Sequence, residues 1–452
     1  MKFTVATYGT EGDTRPLAAL CRALIDAGHE ARLLADRTTL HAAYALGAPC
    51  SPLSGDIKQA LDPGQALGAI VGRRGGVQAT AKALAAIANA NTRAWMAEVK
   101  AAAEDSDAII MSALASFVGL SVAEHLRIPA IGASMIPITP TREFASPFLP
   151  PGMTPGFLNR ASHTFVNNMI WRAFREATNA ARVEVCGLAP RKRNWTDHPI
   201  LYGVSRVLLP RPVDWPEHTP VCGQWTMPAA GGGSVVREVS DPHDPHGLSG
   251  SPVGNAQWTP PAALSAFLDA GEPPIYVGFG SMAGFDHARM AQALVAAIGG
   301  RRALFYPGWS SLDTSVLPSN FHVIGETPHA WLFPRVSVVI HHGGAGTTHS
   351  ATRAGTPSVV VPFAGDQFFW AQRLCRLGAA AAPVNGKAPE AQALARAIEF
   401  ALQPSTRARA AELGAAMREE NGLRAAVSAI ERWTEEGREL RAWGICPVKA
   451  PG

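Results

Sequence analysis

The sequence is poor in the features that would place it outside a reducing, aqueous compartment. Its six cysteines (Cys21, Cys50, Cys186, Cys222, Cys375 and Cys446) are scattered along 452 residues with no C-x-x-C pair, which argues against a disulfide framework or zinc knot and for reduced thiols. No apolar run approaches the roughly 20 residues a membrane span requires, and the start, MKFTVATYGTEGD, reaches glycine and acid too early for a signal peptide. A cytoplasmic protein is therefore expected. Only 17% of residues are charged, and Lys and Arg form no runs, so the net charge of +4 leaves no nucleic-acid footprint. It allows at most a mildly basic cleft for an anionic ligand.

What is present is apolar: 47% of the residues are hydrophobic, enough for two domain cores. Phe3 to Thr7 reads as a strand ending at Gly9, followed by a helix from Thr14 to Ala27 with Leu17, Leu20 and Leu24 on one face. Short strands recur at Glu30 to Ala35, Ala108 to Met111 and Ala130 to Ser134, with helical stretches between them. This is an α/β pattern with an open, doubly wound parallel sheet. Residues 54–104 form a mostly helical excursion, and 136–194 a proline-rich loop followed by a long helix. Residues 228–256 are rich in Gly, Ser and Pro and read as a linker. Strands then resume at Ile275 to Gly278, Ala303 to Tyr306, Val336 to Ile340 and Ser358 to Val361. The expected organisation is a first Rossmann-like domain over 1–227, a linker over 228–256, a second Rossmann-like domain over 257–430, and a tail over 431–452 returning to the first.

The densest signal is HHGGAGTTHSATRAGTPSVVVPFAGDQFFWAQRL, residues 341–374. A strand ending at His341, a glycine turn and a helix starting near Thr347 make an anion site. Backbone N–H groups at Gly344, Gly346 and Thr347 point at the ligand, the helix dipole favours negative charge, and His341 adds a side-chain donor. In the following PFAGDQ, Asp366 and Gln367 suit neighbouring hydroxyls of a sugar ring, the carboxylate accepting and the amide both donating and accepting.

These motifs resemble the donor site of the inverting nucleotide-sugar glycosyltransferases of GT-B fold, with two Rossmann-like domains facing across a cleft. PHAWLFPR (328–335), the HHGGAGTT loop, PFAGDQFFW, YGVSRVLLPRPVDWP (202–216) and YVGFGSM (276–282) look most like the sterol glucosyltransferases and their bacterial relatives, ahead of the antibiotic-aglycone enzymes. The resemblance implies that His341, Gly344, Gly346, Thr347 and Ser281 hold the donor diphosphate and that Asp366 and Gln367 hold the sugar. It sets His329 beside the nucleobase, with Trp309 or Trp331 as a stacking surface. GTEGDTRP (9–16) is similar to the turn that carries the general base in relatives. This sequence has no histidine there, which leaves Asp13 or, less favoured, Glu11. Asp13 also suits a helix cap, and the two roles are compatible. MIPITPTREFASPF (135–148), with Ile136, Thr139 and Phe144, resembles the acceptor loop.

No metal site is expected. Asp105-Ser106-Asp107 lies ahead of a first-domain strand and reads as a solvated turn, and SDPHDPHG (240–247) lies in the linker. The sequence therefore reads as a metal-independent hexosyltransferase with no resident cofactor, using a UDP-sugar, with glucose preferred. Its acceptor is a small hydrophobic alcohol such as a sterol, with peripheral membrane contact as a route to it and no nucleic-acid partner. A macrolide, polyketide or phenolic aglycone with a UDP or dTDP sugar is the near alternative. A nucleotide-sugar epimerase and a non-catalytic sugar-nucleotide binder are the others.

Overall fold

The structure, a computed structural model, describes residues 1–60, 77–227, 258–280, 286–308, 314 and 317–442. Six parallel strands form the first sheet: β1 (Lys2–Tyr8), β2 (Glu30–Asp36), β3 (Cys50–Leu53), β4 (Ala108–Ala113), β5 (Ala130–Ser134) and β6 (Ile200–Tyr202), in the order β3-β2-β1-β4-β5-β6. Five form the second: β7 (Ile275–Gly278), β8 (Ala303–Tyr306), β9 (Phe321–Val323), β10 (Val338–His341) and β11 (Ser358–Val360), in the order β11-β10-β7-β8-β9. Both are doubly wound, so the chain reverses direction across the sheet beside β1 and again beside β7. Those two reversals are where ligands enter such sheets, at the carboxyl ends of the strands.

Helices cover both faces of each sheet, so the strands bury nearly continuous apolar runs. Alternate residues serve opposite cores: Phe3 and Val5 of β1 pack on one side, Ala6 and Tyr8 on the other. In the second domain Val338 and Ile340 face one core and Val339 the other. A further cluster joins the domains: Phe144, Tyr202, Leu208 and Trp215 from the first pack with Val360, Trp370 and Leu374 from the second.

Several boundaries differ from the sequence reading. Helix α1 spans Glu11–Asp26 rather than Thr14 to Ala27, because Thr10 caps it and the Asp13 carboxylate accepts from the Thr10 amide at 2.9 Å. Strands β3, β6 and β9, absent from the sequence reading, are sheet edges of three or four residues. The helix that returns to the first domain spans Gly422–Ala442, starting ahead of the boundary expected at 431. Its stripe of Leu423, Ala426, Val427 and Ile430 enters the first-domain core with Leu17, Leu20 and Leu24 of α1. Glu431 meets His29 Nε2 at 2.8 Å and Arg438 pairs with Asp107 at 2.6 Å, fastening the same helix at its outer edge. Residues 228–256, with the SDPHDPHG string, lie outside the described residues, as do Ser281 and Trp309. Among the described residues no helix is long and apolar enough to cross a membrane.

Ile430 is fully buried in a core to which its helix returns from the second domain. Ile430→Ala is expected to destabilise the first domain by about 2–5 kcal/mol, read as a lowered urea midpoint with unchanged slope.

Candidate active site

The two chain reversals face each other, and each presents a carboxylate. On the first domain β1 ends at Tyr8, and the chain turns through Gly9 and Thr10 into α1. A Cβ at Gly9 would lie 2.6 Å from the Asp13 carboxyl carbon, so only glycine lets the carboxylate fold back over the turn. Burial pushes the Asp13 carboxyl up to about 6, against the lowering effect of its bonds from Thr10. The other acid of the turn is committed elsewhere. Glu11 accepts from Arg15 Nε at 2.6 Å and meets His41 Nε2 at 3.2 Å. Desolvation opposes ionisation of Glu11, but His41 and Arg15 outweigh it and hold the carboxyl below its ordinary value. Of the two candidate bases, only Asp13 has the raised basicity.

On the second domain β10 delivers His341 beside Gly278 of β7. The His341 ring is fully buried, and its Nδ1 accepts from the Gly343 amide at 3.1 Å. Burial, then the neighbouring His342 and His329, lower its pKa to about 3. The ring is thus neutral with its proton on Nε2, and Nε2 has no hydrogen-bond partner among the described residues. The turn that follows requires glycine: Gly343 has φ +92°, and a Cβ there would stand 2.8 Å from Val360 Cγ1 and 2.9 Å from the Gln367 carbonyl. The next helix, Ala345–Ala354, starts two residues ahead of Thr347, with Gly344 as a cap that has no side-chain acceptor. The Thr348 amide is the first to find an intrahelical partner, Gly344 O at 3.0 Å. The N–H groups of Ala345, Gly346 and Thr347 therefore remain for an anion.

Asp366 caps the helix Gln367–Arg376, and its Oδ2 accepts from Trp370 Nε1 at 3.0 Å. Burial raises its carboxyl to about 6, with a smaller contribution from the charge of Asp13 across the gap. Gln367 does not simply face the crevice beside it. Its Oε1 accepts from the Phe363 amide at 2.8 Å and the Ala364 amide at 3.1 Å, ordering the loop that presents Asp366.

Other expected residues fall in different surroundings. His329 stacks on Phe333 at 4.2 Å, and burial, then Arg15 and His342, lower its pKa to about 3. Trp331 packs against Trp258 at 5.0 Å with Arg335 over its face, a packing role. Two residues of the loop expected to meet the acceptor have partners within the protein. Thr139 is buried, with Oγ1 2.6 Å from the Tyr202 hydroxyl. Phe144 belongs to the interdomain cluster, 5.1 Å from Phe369, because the apolar loop that suited a pocket also suits the joint between domains. Phe144 does line a cavity of about 320 Å³, but that cavity includes neither Asp13 nor Asp366. Ile136 stays half-buried, its backbone tied to Ser134 Oγ. The Asp105-Ser106-Asp107 acids serve Lys2 and Arg438 at the amino ends of the strands, opposite the cleft. Among the described residues no cluster of three or more His, Cys, Asp or Glu could hold a metal ion.

Two features escaped the sequence reading. His342 packs against both glycine turns: a Cβ on Gly280 would lie 3.4 Å from its ring, and one on Gly344 would lie 2.5 Å from it. The doubled histidine was a visible signal. Arg15 pairs with Glu326 of the second domain, closing a chain of charges from His41 through Glu11 across the cleft. Nothing in the local pattern pairs residues 311 positions apart.

The raised acids predict a pH-dependent stability. The Asp13 carboxyl has a folded pKa of about 6 against an ordinary 3.8. Its contribution is fully present below about pH 4 and lost as the pH rises through about 6. Asp13→Asn, which removes the buried charge, is expected to melt above the wild type near pH 8, the gap closing below about pH 4 in thermal scans.

Known proteins resemble this chain in both sequence and fold. Residues 303–426 match the family described as erythromycin biosynthesis protein CIII-like, C-terminal domain. A sterol 3-beta-glucosyltransferase of Emericella nidulans is 30% identical over 97% of this chain, which spans only 30% of that protein's length. One from Arabidopsis thaliana is 29% identical over 95% of this chain and 65% of its own length. Among solved structures, the glycosyltransferase of kitacinnamycin superposes with a TM-score of 0.65 at 18% identity, covering 95% of this chain and 98% of that one. A spinosyn rhamnosyltransferase superposes with a TM-score of 0.61 at 20% identity, covering 95% and 100%. Over nearly its whole length the sequence is similar to the sterol 3-beta-glucosyltransferases, and its two domains share the GT-B fold of the solved glycosyltransferases.

Proposed function

We propose that this chain transfers glucose from UDP-glucose to a hydroxyl of a sterol or similarly apolar polycyclic alcohol, with inversion at the anomeric carbon. The observation that carries the reading is the facing pair of raised carboxylates, Asp13 on one domain and Asp366 on the other, beside an uncapped helix start. Asp366 would hold the hexose hydroxyls through its carboxylate, clamped by Trp370. Asp13 would take the acceptor's hydroxyl proton as that oxygen forms its bond to the anomeric carbon. On the opposite side the bond to the diphosphate oxygen breaks, and UDP leaves with the electron pair. The charge developing on that oxygen would be met by the amides of Ala345, Gly346 and Thr347 and by the neutral His341 Nε2–H. No divalent cation takes part in this scheme.

His329 would lie towards the nucleobase end, Gln367 would act by shaping the sugar loop, and Ser281 would approach the diphosphate from the β7 side. The five described cysteines are unpaired, which suits a reducing cytoplasm where nucleotide sugars are made. The family match over 303–426 favours a second acceptor class, a macrolide aglycone with a UDP or dTDP sugar.

Incubation with UDP-glucose and a panel of sterols, macrolides and flavonoids, read by mass spectrometry, is expected to yield a sterol monoglucoside. Absence of any glucoside, with no UDP-glucose binding by calorimetry, would overturn the reading. Asp13→Asn is expected to lower kcat about 100-fold or more with donor KM little changed. For the wild type, kcat/KM should fall as the pH drops below about 6, because the base must be ionised to accept the proton.

A further inference from the structure

Nine large hydrophobic side chains are exposed among the described residues, and five of them fall between residues 153 and 169. Phe157 is 86% exposed on the short turn Gly156–Leu158, with Met153 and Leu158 beside it. Phe165 and Met169 continue the ridge one turn apart on the helix Asn159–Cys186, whose opposite face buries Trp171 and Phe174 in the first-domain core. A sixth, Val213, 90% exposed, lies at the same end, its amide bonded to Glu143 at 2.9 Å. Soluble surfaces seldom gather such side chains without a partner.

The charges around the ridge say what kind of partner. Arg160 and Arg172 are exposed on the same helix on either side of Phe165 and Met169. Asp214 and Glu143 keep their charge at the Val213 end, where they accept from Thr141 Oγ1 and the Arg142 and Val213 amides, but along the helix itself the exposed Arg160, Arg172 and Arg175 outnumber Glu176. Glu176 lies farther along the helix, beyond the apolar stretch. Aromatic and thioether tips flanked by arginines combine the two signals that hold a protein at an anionic bilayer: apolar insertion and headgroup attraction. Gly156 and Asn159 also line the 320 Å³ cavity between the domains, so the ridge borders its mouth on the first-domain side.

We propose that this ridge docks the enzyme onto an anionic membrane surface, where an apolar alcohol partitions. The inference rests on the proposed lipophilic acceptor and deepens it by naming where the acceptor is met. The test is co-sedimentation of the full chain with phosphatidylcholine vesicles, with and without phosphatidylglycerol. The wild type is expected to bind the anionic vesicles at least about tenfold more tightly. Phe157→Ser with Phe165→Ser, and separately Arg160→Glu with Arg172→Glu, should each weaken that binding about tenfold or more. Calorimetric UDP-glucose affinity should be unchanged in both variants. Equal binding by the variants, or no preference for anionic vesicles, would overturn the proposal. So would a wild-type dimer in light scattering that Phe157→Ser with Phe165→Ser dissociates, because the ridge would then be a self-association face. Vesicle binding without any sterol glucoside would remove the acceptor reading and leave the docking surface standing. Sterol glucoside formation without vesicle binding would do the reverse.

Discussion

Trp370 binds the two halves of this molecule into one site. Its ring is fully buried among Tyr202, Leu208 and Trp215 of the first domain and Leu374 of the second, while its Nε1–H donates to the Asp366 carboxylate at 3.0 Å. The group that cements the domain joint therefore also orients Asp366. A buried indole needs a partner for its single donor. Asp366, pushed towards protonation by burial, gains in that bond its largest opposing influence. Domain packing and site chemistry are coupled through one side chain, so the cleft cannot loosen without disturbing the carboxylate.

The donor turn achieves its polarity without formal charge. His341, His342, His329 and His349 are all lowered well below neutral titration, burial being the first cause in each. His349 donates Nδ1–H to the Ala345 carbonyl at 2.7 Å and packs edge-on against Trp370 at 5.0 Å. Neutral rings and backbone amides form a preorganised donor array without formal charge. Arg15 is the cation that reaches this region from the first domain, held by Glu11 and Glu326. It crosses the cleft two residues beyond the candidate base, so the clasp and Asp13 move with the same turn of helix.

The apolar loop after β5 illustrates a different economy. Thr139 and Phe144 brace Tyr202 and Phe369 at the domain joint. Beyond them the chain spends its surplus apolar side chains outward, from Met153 to Met169.

Both Rossmann-like sheets were legible in the sequence because central strands are buried on both faces and leave short continuous apolar runs such as Ile275–Gly278 and Ala130–Ser134. The strands that escaped, β3, β6 and β9, are all edges. At the sheet margin, they need just three or four residues, and β3 tolerates Pro52 within it. The glycine turn after His341 and the Gly9 turn were equally plain, since only glycine allows a φ of +92° at Gly343 or the close approach of Asp13 to Gly9. Tertiary structure alone decided which side chains those turns leave available. Glu11 was spent on Arg15 and His41, the Gln367 oxygen on its own loop, and Phe144 on the domain joint. Local sequence records backbone geometry and periodic burial, whereas the partner that claims a polar or aromatic group comes from elsewhere in the chain, as Glu326 does for Arg15.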